Sequence, residues 1–168
     1  NEICKNGNLE LVRYLFNLLN LLNKSPYTNN TNNTNNTNNT NNICKNNKTL
    51  FECACYSGNI KLVKYLLTIY PTYYLLLKNN KNEHYKLFIK SCNSNNTDLV
   101  KFILSFNPRV KINSIDKSLV STICAKGNLE IFKLYKDLMG DYNLSSEKEL
   151  CFTNACLSGN LELVKYLL

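Results

Sequence analysis

Three sets of residues have types that could carry chemistry: eight cysteines, a single histidine and a row of lysines. Cysteine can act as nucleophile, redox couple or zinc ligand, and Cys53-Ala54-Cys55 is the tightest group. A persuasive zinc site brings two pairs of ligands, each pair separated by about two to four residues. Here the spacer is Ala54 alone, and no second pair follows. His84 is the only imidazole, so neither a triad nor a multi-histidine metal site can be assembled. It follows the polar run Asn79 to Glu83 and is expected in an exposed loop. There is no glycine-rich phosphate loop, no nucleophile elbow and no metal-spaced cluster of acids. The expectation is a non-enzyme, with no catalytic residue, no metal and no cofactor.

The spacing of the cysteines points to packing. Five segments share one pattern: Gly7-Asn8-Leu9-Glu10-Leu11-Val12-Arg13-Tyr14, Gly58-Asn59-Ile60-Lys61-Leu62-Val63-Lys64-Tyr65, Asn95-Asn96-Thr97-Asp98-Leu99-Val100-Lys101-Phe102, Gly127-Asn128-Leu129-Glu130-Ile131-Phe132-Lys133-Leu134 and Gly159-Asn160-Leu161-Glu162-Leu163-Val164-Lys165-Tyr166. Their first residues, called markers below, lie 51, 37, 32 and 32 residues apart. The long first interval contains Thr28–Asn42, which is Thr-Asn-Asn repeated five times. Without its 15 residues the period is 32 to 37 throughout, a spacing typical of helical repeat arrays. Cys4, Cys55, Cys92, Cys124 and Cys156 each stand three residues before a marker. Free cysteine is a small, readily buried hydrophobe, so close helix packing accounts for these five. Cys53 and Cys151 fall on the same helices, and unpaired thiols imply a reducing compartment.

The elements that hold these positions follow from local rules. A short helix is expected before each marker, at Thr49–Ser57, Tyr85–Ser94, Ser118–Lys126 and Glu149–Ser158. Glycine or asparagine then ends it in the left-handed conformation. The next asparagine (Asn8, Asn59, Asn96, Asn128, Asn160) caps a second helix, and Glu10, Asp98, Glu130 and Glu162 favour its first turn. Apolar residues such as Leu62, Val63, Leu66 and Leu67 form a stripe that buries one face. Pro71, Pro108 and Gly140, each 13 residues after its marker, are expected to end the second helices.

The stretch Thr49-Leu50-Phe51-Glu52-Cys53-Ala54-Cys55-Tyr56-Ser57-Gly58-Asn59 with its following Ile60-Lys61-Leu62-Val63 resembles an ankyrin repeat, as does Asn154-Ala155-Cys156-Leu157-Ser158-Gly159-Asn160 with Leu161-Glu162-Leu163-Val164. Leu50 stands where the family has proline and Glu52 where it has histidine. The hairpin fingers are therefore expected weak or absent. The resemblance implies an all-α solenoid of about five helix-loop-helix units and a protein-binding role, with contacts from the ends of the first helices. By position these are Lys5, Asn6, Tyr56, Ser57, Asn93, Ser94, Ala125, Lys126, Leu157 and Ser158. Tyr56 is the expected anchor, because an aromatic side chain gives large contact area.

Charge offers an alternative partner. The chain of 168 residues carries a net charge of +8, with 20 basic residues against 12 acidic. Arg13, Lys64, Lys101, Lys133 and Lys165 all lie six residues after a marker, so stacked units align them into a basic column. Such a column would suit an anionic partner: nucleic acid, a phosphoprotein or an acidic lipid surface. Only two of the basic residues are arginine, however, and base-reading contacts favour arginine. A solvated outer face is the plainer reading. The Thr-Asn-Asn tract has neither charge nor apolar residue and is expected as a disordered insertion. Its Asn-Asn-Thr copies match a glycosylation acceptor pattern that the thiols make irrelevant. The expected segmentation is a truncated first repeat (1–27), the low-complexity loop (28–48), repeats at 49–84, 85–117 and 118–148, and a truncated fifth (149–168), a fragment of a longer array. The longest apolar run, Tyr73 to Leu77, is far short of the roughly 18 residues of a bilayer span. An unidentified protein partner and an intracellular site, cytoplasmic or nuclear, are the remaining expectations.

Overall fold

A computed structural model describes residues 8–14, 48–107, 116–140 and 147–168. The Thr-Asn-Asn tract, Cys4, Lys5, Asn6, Gly7, Cys44 and Pro108 lie outside them. Among the described residues there are helices and no strand. In chain order the helices are α1 (9–14), α2 (48–56), α3 (Ile60–Ile69), α4 (Pro71–Asn79), α5 (Lys81–Asn93), α6 (Thr97–Leu104), α7 (Lys117–Ala125), α8 (Leu129–Met139), α9 (Lys148–Ser158) and α10 (Leu161–Leu167).

Four helix pairs share one corner: α2–α3, α5–α6, α7–α8 and α9–α10. Gly58, Gly127 and Gly159 have φ of 74°, 65° and 71°, and Asn95 takes the same left-handed conformation at 59°. The following asparagine then caps the second helix: Oδ1 of Asn59, Asn96, Asn128 and Asn160 accepts from the amides of Leu62, Leu99, Ile131 and Leu163, each at 3.0 Å. Asn8 does the same for Leu11 at 3.0 Å.

The corners also touch one another. Asn96 Nδ2 donates to the Gly58 carbonyl at 2.8 Å, and Asn128 Nδ2 donates to Thr97 Oγ1 at 3.1 Å. A Cβ on Gly127 would lie 2.7 Å from Ser158 Oγ, so glycine there answers to a neighbouring corner as well as to its own backbone. Asn96 and Asn128 thus have two tasks: the oxygen serves its own helix, while the amide nitrogen reaches the preceding corner. Neighbouring contacts run α5 to α7 to α9 among the first helices and α3 to α6 to α8 among the second. Between the rows lies the core, where Phe51, Leu66, Leu87, Phe88, Ile103, Ile123, Phe132 and Tyr135 are fully enclosed.

Two expectations fail at the same place. Pro71 follows the end of α3, as expected, but it also starts α4. Proline suits the first helical position because that amide has no intrahelical acceptor and its φ is already helical. Tyr73 and Leu77, one turn apart, anchor α4 in the core, and Tyr73 stacks on Phe51 at 4.0 Å between centroids. The next first helix then begins at Lys81 rather than Tyr85, because Asn80 Oδ1 accepts from the amides of Asn82 and Glu83. His84 is consequently not in an exposed loop. It is fully buried on α5, in a stripe with Leu87, Phe88, Ser91 and Cys92, and its Nε2 donates to the Ile103 carbonyl at 2.8 Å.

Candidate functional site

Small helix-helix gaps determine what the cysteines can do. Cys55, Cys92 and Cys124 are enclosed where first helices meet, and Cys53 and Cys151 are also buried. Burial raises the thiols of Cys55 and Cys92 far above their ordinary value, so neither is a thiolate near neutrality. The Cys124 thiol is held up by a hydrogen bond to Cys151 across α7 and α9 and by burial. Cys156 departs from the expected pattern: it is exposed, because no described helix packs on the far side of α9 and α10. Among the described residues, no three histidine, cysteine or acidic side chains gather as a metal ion would need. No described helix is long and apolar enough to cross a membrane.

The basic column forms, and its cations are engaged. Arg13 lies over the Tyr65 ring at 5.2 Å, Lys64 over Phe102 at 5.1 Å and Lys133 over Tyr166 at 5.3 Å. Each cation, six residues after one marker, rests on the aromatic seven residues after the next. Where that aromatic is replaced by Leu134, Lys101 instead pairs with Glu130 of the same neighbouring helix. Lys165 pairs with Glu162 on its own helix at 3.2 Å. Cation–aromatic contacts are worth about 0.5–1 kcal/mol each at exposed positions, and like the Lys101–Glu130 pair they direct the charges along the row of second helices. A free electropositive surface needs those charges turned outward.

A second polar series, missed in the sequence, joins the beginnings of the first helices. Lys48 pairs with Glu83 at 3.0 Å, and Lys117 with Glu147 at 2.8 Å. Both lysines stand ten residues before their marker and both glutamates twelve before the next. Between these pairs the Tyr85 phenol donates to Asp116, and burial together with that carboxylate raises the phenol well above its ordinary value. Burial would also raise the Glu83 carboxyl, but hydrogen bonds and charge from Lys48 and Lys86 outweigh it and hold the carboxyl below the usual value. The regular offset was visible in the residues, yet alternation between lysine and tyrosine hid it.

The residues expected to meet a partner divide into two kinds. Ser57, Ser94 and Ser158 are consumed by their corners. Their hydroxyls donate to the carbonyls of Ala54, Ser91 and Ala155 at 2.7–2.8 Å and accept from the amides of Asn59, Asn96 and Asn160. Tyr56, Ala125, Lys126 and Leu157 are exposed and Asn93 is half-buried. Tyr56 is 53 % exposed and Leu157 79 %, two of the ten large apolar side chains that are exposed among the described residues. An open groove of about 340 Å³ lies beside the Tyr56 ring, lined by Glu52, Cys53, Tyr56 and Lys90. Glu52 and Tyr56 are one turn apart on α2, so both face the groove. Lys90 comes from the facing α5. The offset of four from the exposed tyrosine was the available signal for Glu52; for Lys90 there was none before the α2–α5 contact was seen. No family model, curated protein or solved structure matches the chain.

Proposed function

We propose that the chain is a non-catalytic protein-binding scaffold, built as an ankyrin-like helical solenoid whose partner lies along the ends of the first helices. The architecture part of this reading is supported by the corner bonds from Asn96 to Gly58 and from Asn128 to Thr97, and by the two rows of helix contacts. Units of this kind cannot enclose their apolar stripe alone and depend on neighbours for a core. The observation that carries the binding part is Tyr56, a large half-exposed ring held beside a groove on helices whose own surfaces are packed. Buried thiols that remain unpaired suit a reducing, intracellular setting.

The test is affinity capture with the intact chain across a salt series. A protein partner should stay bound at moderate salt, and Tyr56→Ala should weaken retention about tenfold or more, as truncating a central aromatic anchor does. Reversing Lys64, Lys101 and Lys133 to glutamate should leave retention unchanged. Retention that collapses between low and physiological salt, and depends on those three lysines, would replace this reading with an anionic partner on the basic column.

A further inference from the structure

We propose that the groove between α2 and α5 receives an extended peptide segment carrying one basic and one acidic side chain two residues apart. The inference deepens the scaffold reading and rests on it. Its observation is a pair of opposite charges whose side chains have no partner among the described residues. Glu52 and Lys90 are both half-buried, both line the groove, and neither side chain has a hydrogen bond or ion pair among the described residues. The buried carboxylates among the described residues are paired, Glu83 with Lys48 and Glu147 with Lys117. A ligand that meets both charges gains two ion pairs that the described residues do not supply.

The chemistry of each wall specifies what it meets. A carboxylate one turn from an aromatic ring receives a cation: Glu52 supplies the charge, and the Tyr56 ring supplies a face for the ammonium or guanidinium and its stem. The Lys90 ammonium meets a carboxylate. In an extended chain alternate side chains emerge on the same side, about 7 Å apart, since each residue rises about 3.3 Å. The proposed ligand places a basic and an acidic residue at i and i+2, the first toward Glu52 and the second toward Lys90. The buried Cys53 side chain also lines the groove. A nucleic acid fits poorly, because Glu52 would face its phosphates. A membrane fits poorly, because the charges lie within a groove and not on a flat face.

The experiment is selection from a display library of short random peptides on the intact chain, followed by affinity measurement with the enriched peptides. The expected result is enrichment of a basic and an acidic residue at i and i+2. Glu52→Lys and Lys90→Glu should each weaken binding about tenfold, the scale of losing one charged hydrogen bond. Selection on the double variant Glu52→Lys/Lys90→Glu should return peptides with the two charges exchanged. Circular dichroism monitors folding, and Glu52→Gln and Lys90→Gln replace any reversal that lowers helix content. Enriched peptides that lack the charge pair, or that ignore both reversals yet are lost on Tyr56→Ala, overturn this proposal and leave the scaffold standing. No enrichment over the Tyr56→Ala chain overturns both.

Discussion

Asn96 offers a direct measure of how strongly one helix pair holds the next, because its two amide atoms have separate duties. Oδ1 caps α6 by accepting from Leu99, and Nδ2 donates to the Gly58 carbonyl of the preceding corner at 2.8 Å. Asn96→Ala removes both. Losing the cap costs about 1 kcal/mol, and leaving a partly buried carbonyl without its donor costs about 1–3 kcal/mol. The sum is about 2–4 kcal/mol, a large part of the stability of a chain this size. Asn96→Asp keeps the capping oxygen and gains from the helix dipole, but places a second acceptor against the Gly58 carbonyl. It should therefore cost about 1–2 kcal/mol, nearly all of it from the contact between corners. The assay is urea unfolding followed by far-UV circular dichroism, with slopes compared across variants so that any uncoupling of helix pairs appears as a shallower transition. If Asn96→Asp unfolds at the same midpoint as the parent chain, the corner-to-corner bond contributes nothing and the stacking logic drawn from it is wrong.

Two further outcomes follow from buried groups. His84 is the only histidine; burial lowers its pKa below the ordinary value near 6.5, opposed by its bond to Ile103, and Nδ1 has no partner among the described residues. As pH falls through 6.5 the unfolded chain takes up a proton that the folded chain resists, so stability should fall toward pH 5 by at most about 1.4 kcal/mol per pH unit. Glu83, held low by Lys48 and Lys86, adds its own loss only at more acid pH; a urea midpoint unchanged between pH 6.5 and 5, or a decline that persists in His84→Leu, would contradict this assignment. Cys124 is fully enclosed, so Cys124→Ala should cost about 1 kcal/mol and Cys124→Glu about 3 kcal/mol or more through an unpaired buried charge; equal thermal midpoints for the two variants would place the site at the surface.

What could be read from the residues, and what could not, separates by the range of the interaction. The corners were legible because a left-handed marker and a capping asparagine act within four residues, and the chain repeats that short code at each pair. The enclosed cysteines were legible for the same reason, as small residues at a constant offset from it. The start of α5 was not, although Asn80 and Glu83 stand three apart as an N-terminal signal should. They sit in a run of asparagine and lysine where every residue looks like loop, and Pro71 reads as a stop when only the end of α3 is considered. His84 then inherits the error: one turn of misplaced helix start moves it from solvent to core. The cation-aromatic series shows the harder limit. Its members occupy constant positions, six and seven after the markers, yet neighbours along one helix point about 100° apart and never meet. Lys64 reaches Phe102, and not Tyr65, because packing brings the next helix alongside. Spacing aligned the lysines into a column whose plainer reading was a solvated outer face; contact between helices turns the same charges into joints. The half-buried charges of the α2–α5 groove differ from these joints, because neither side chain has a partner among the described residues.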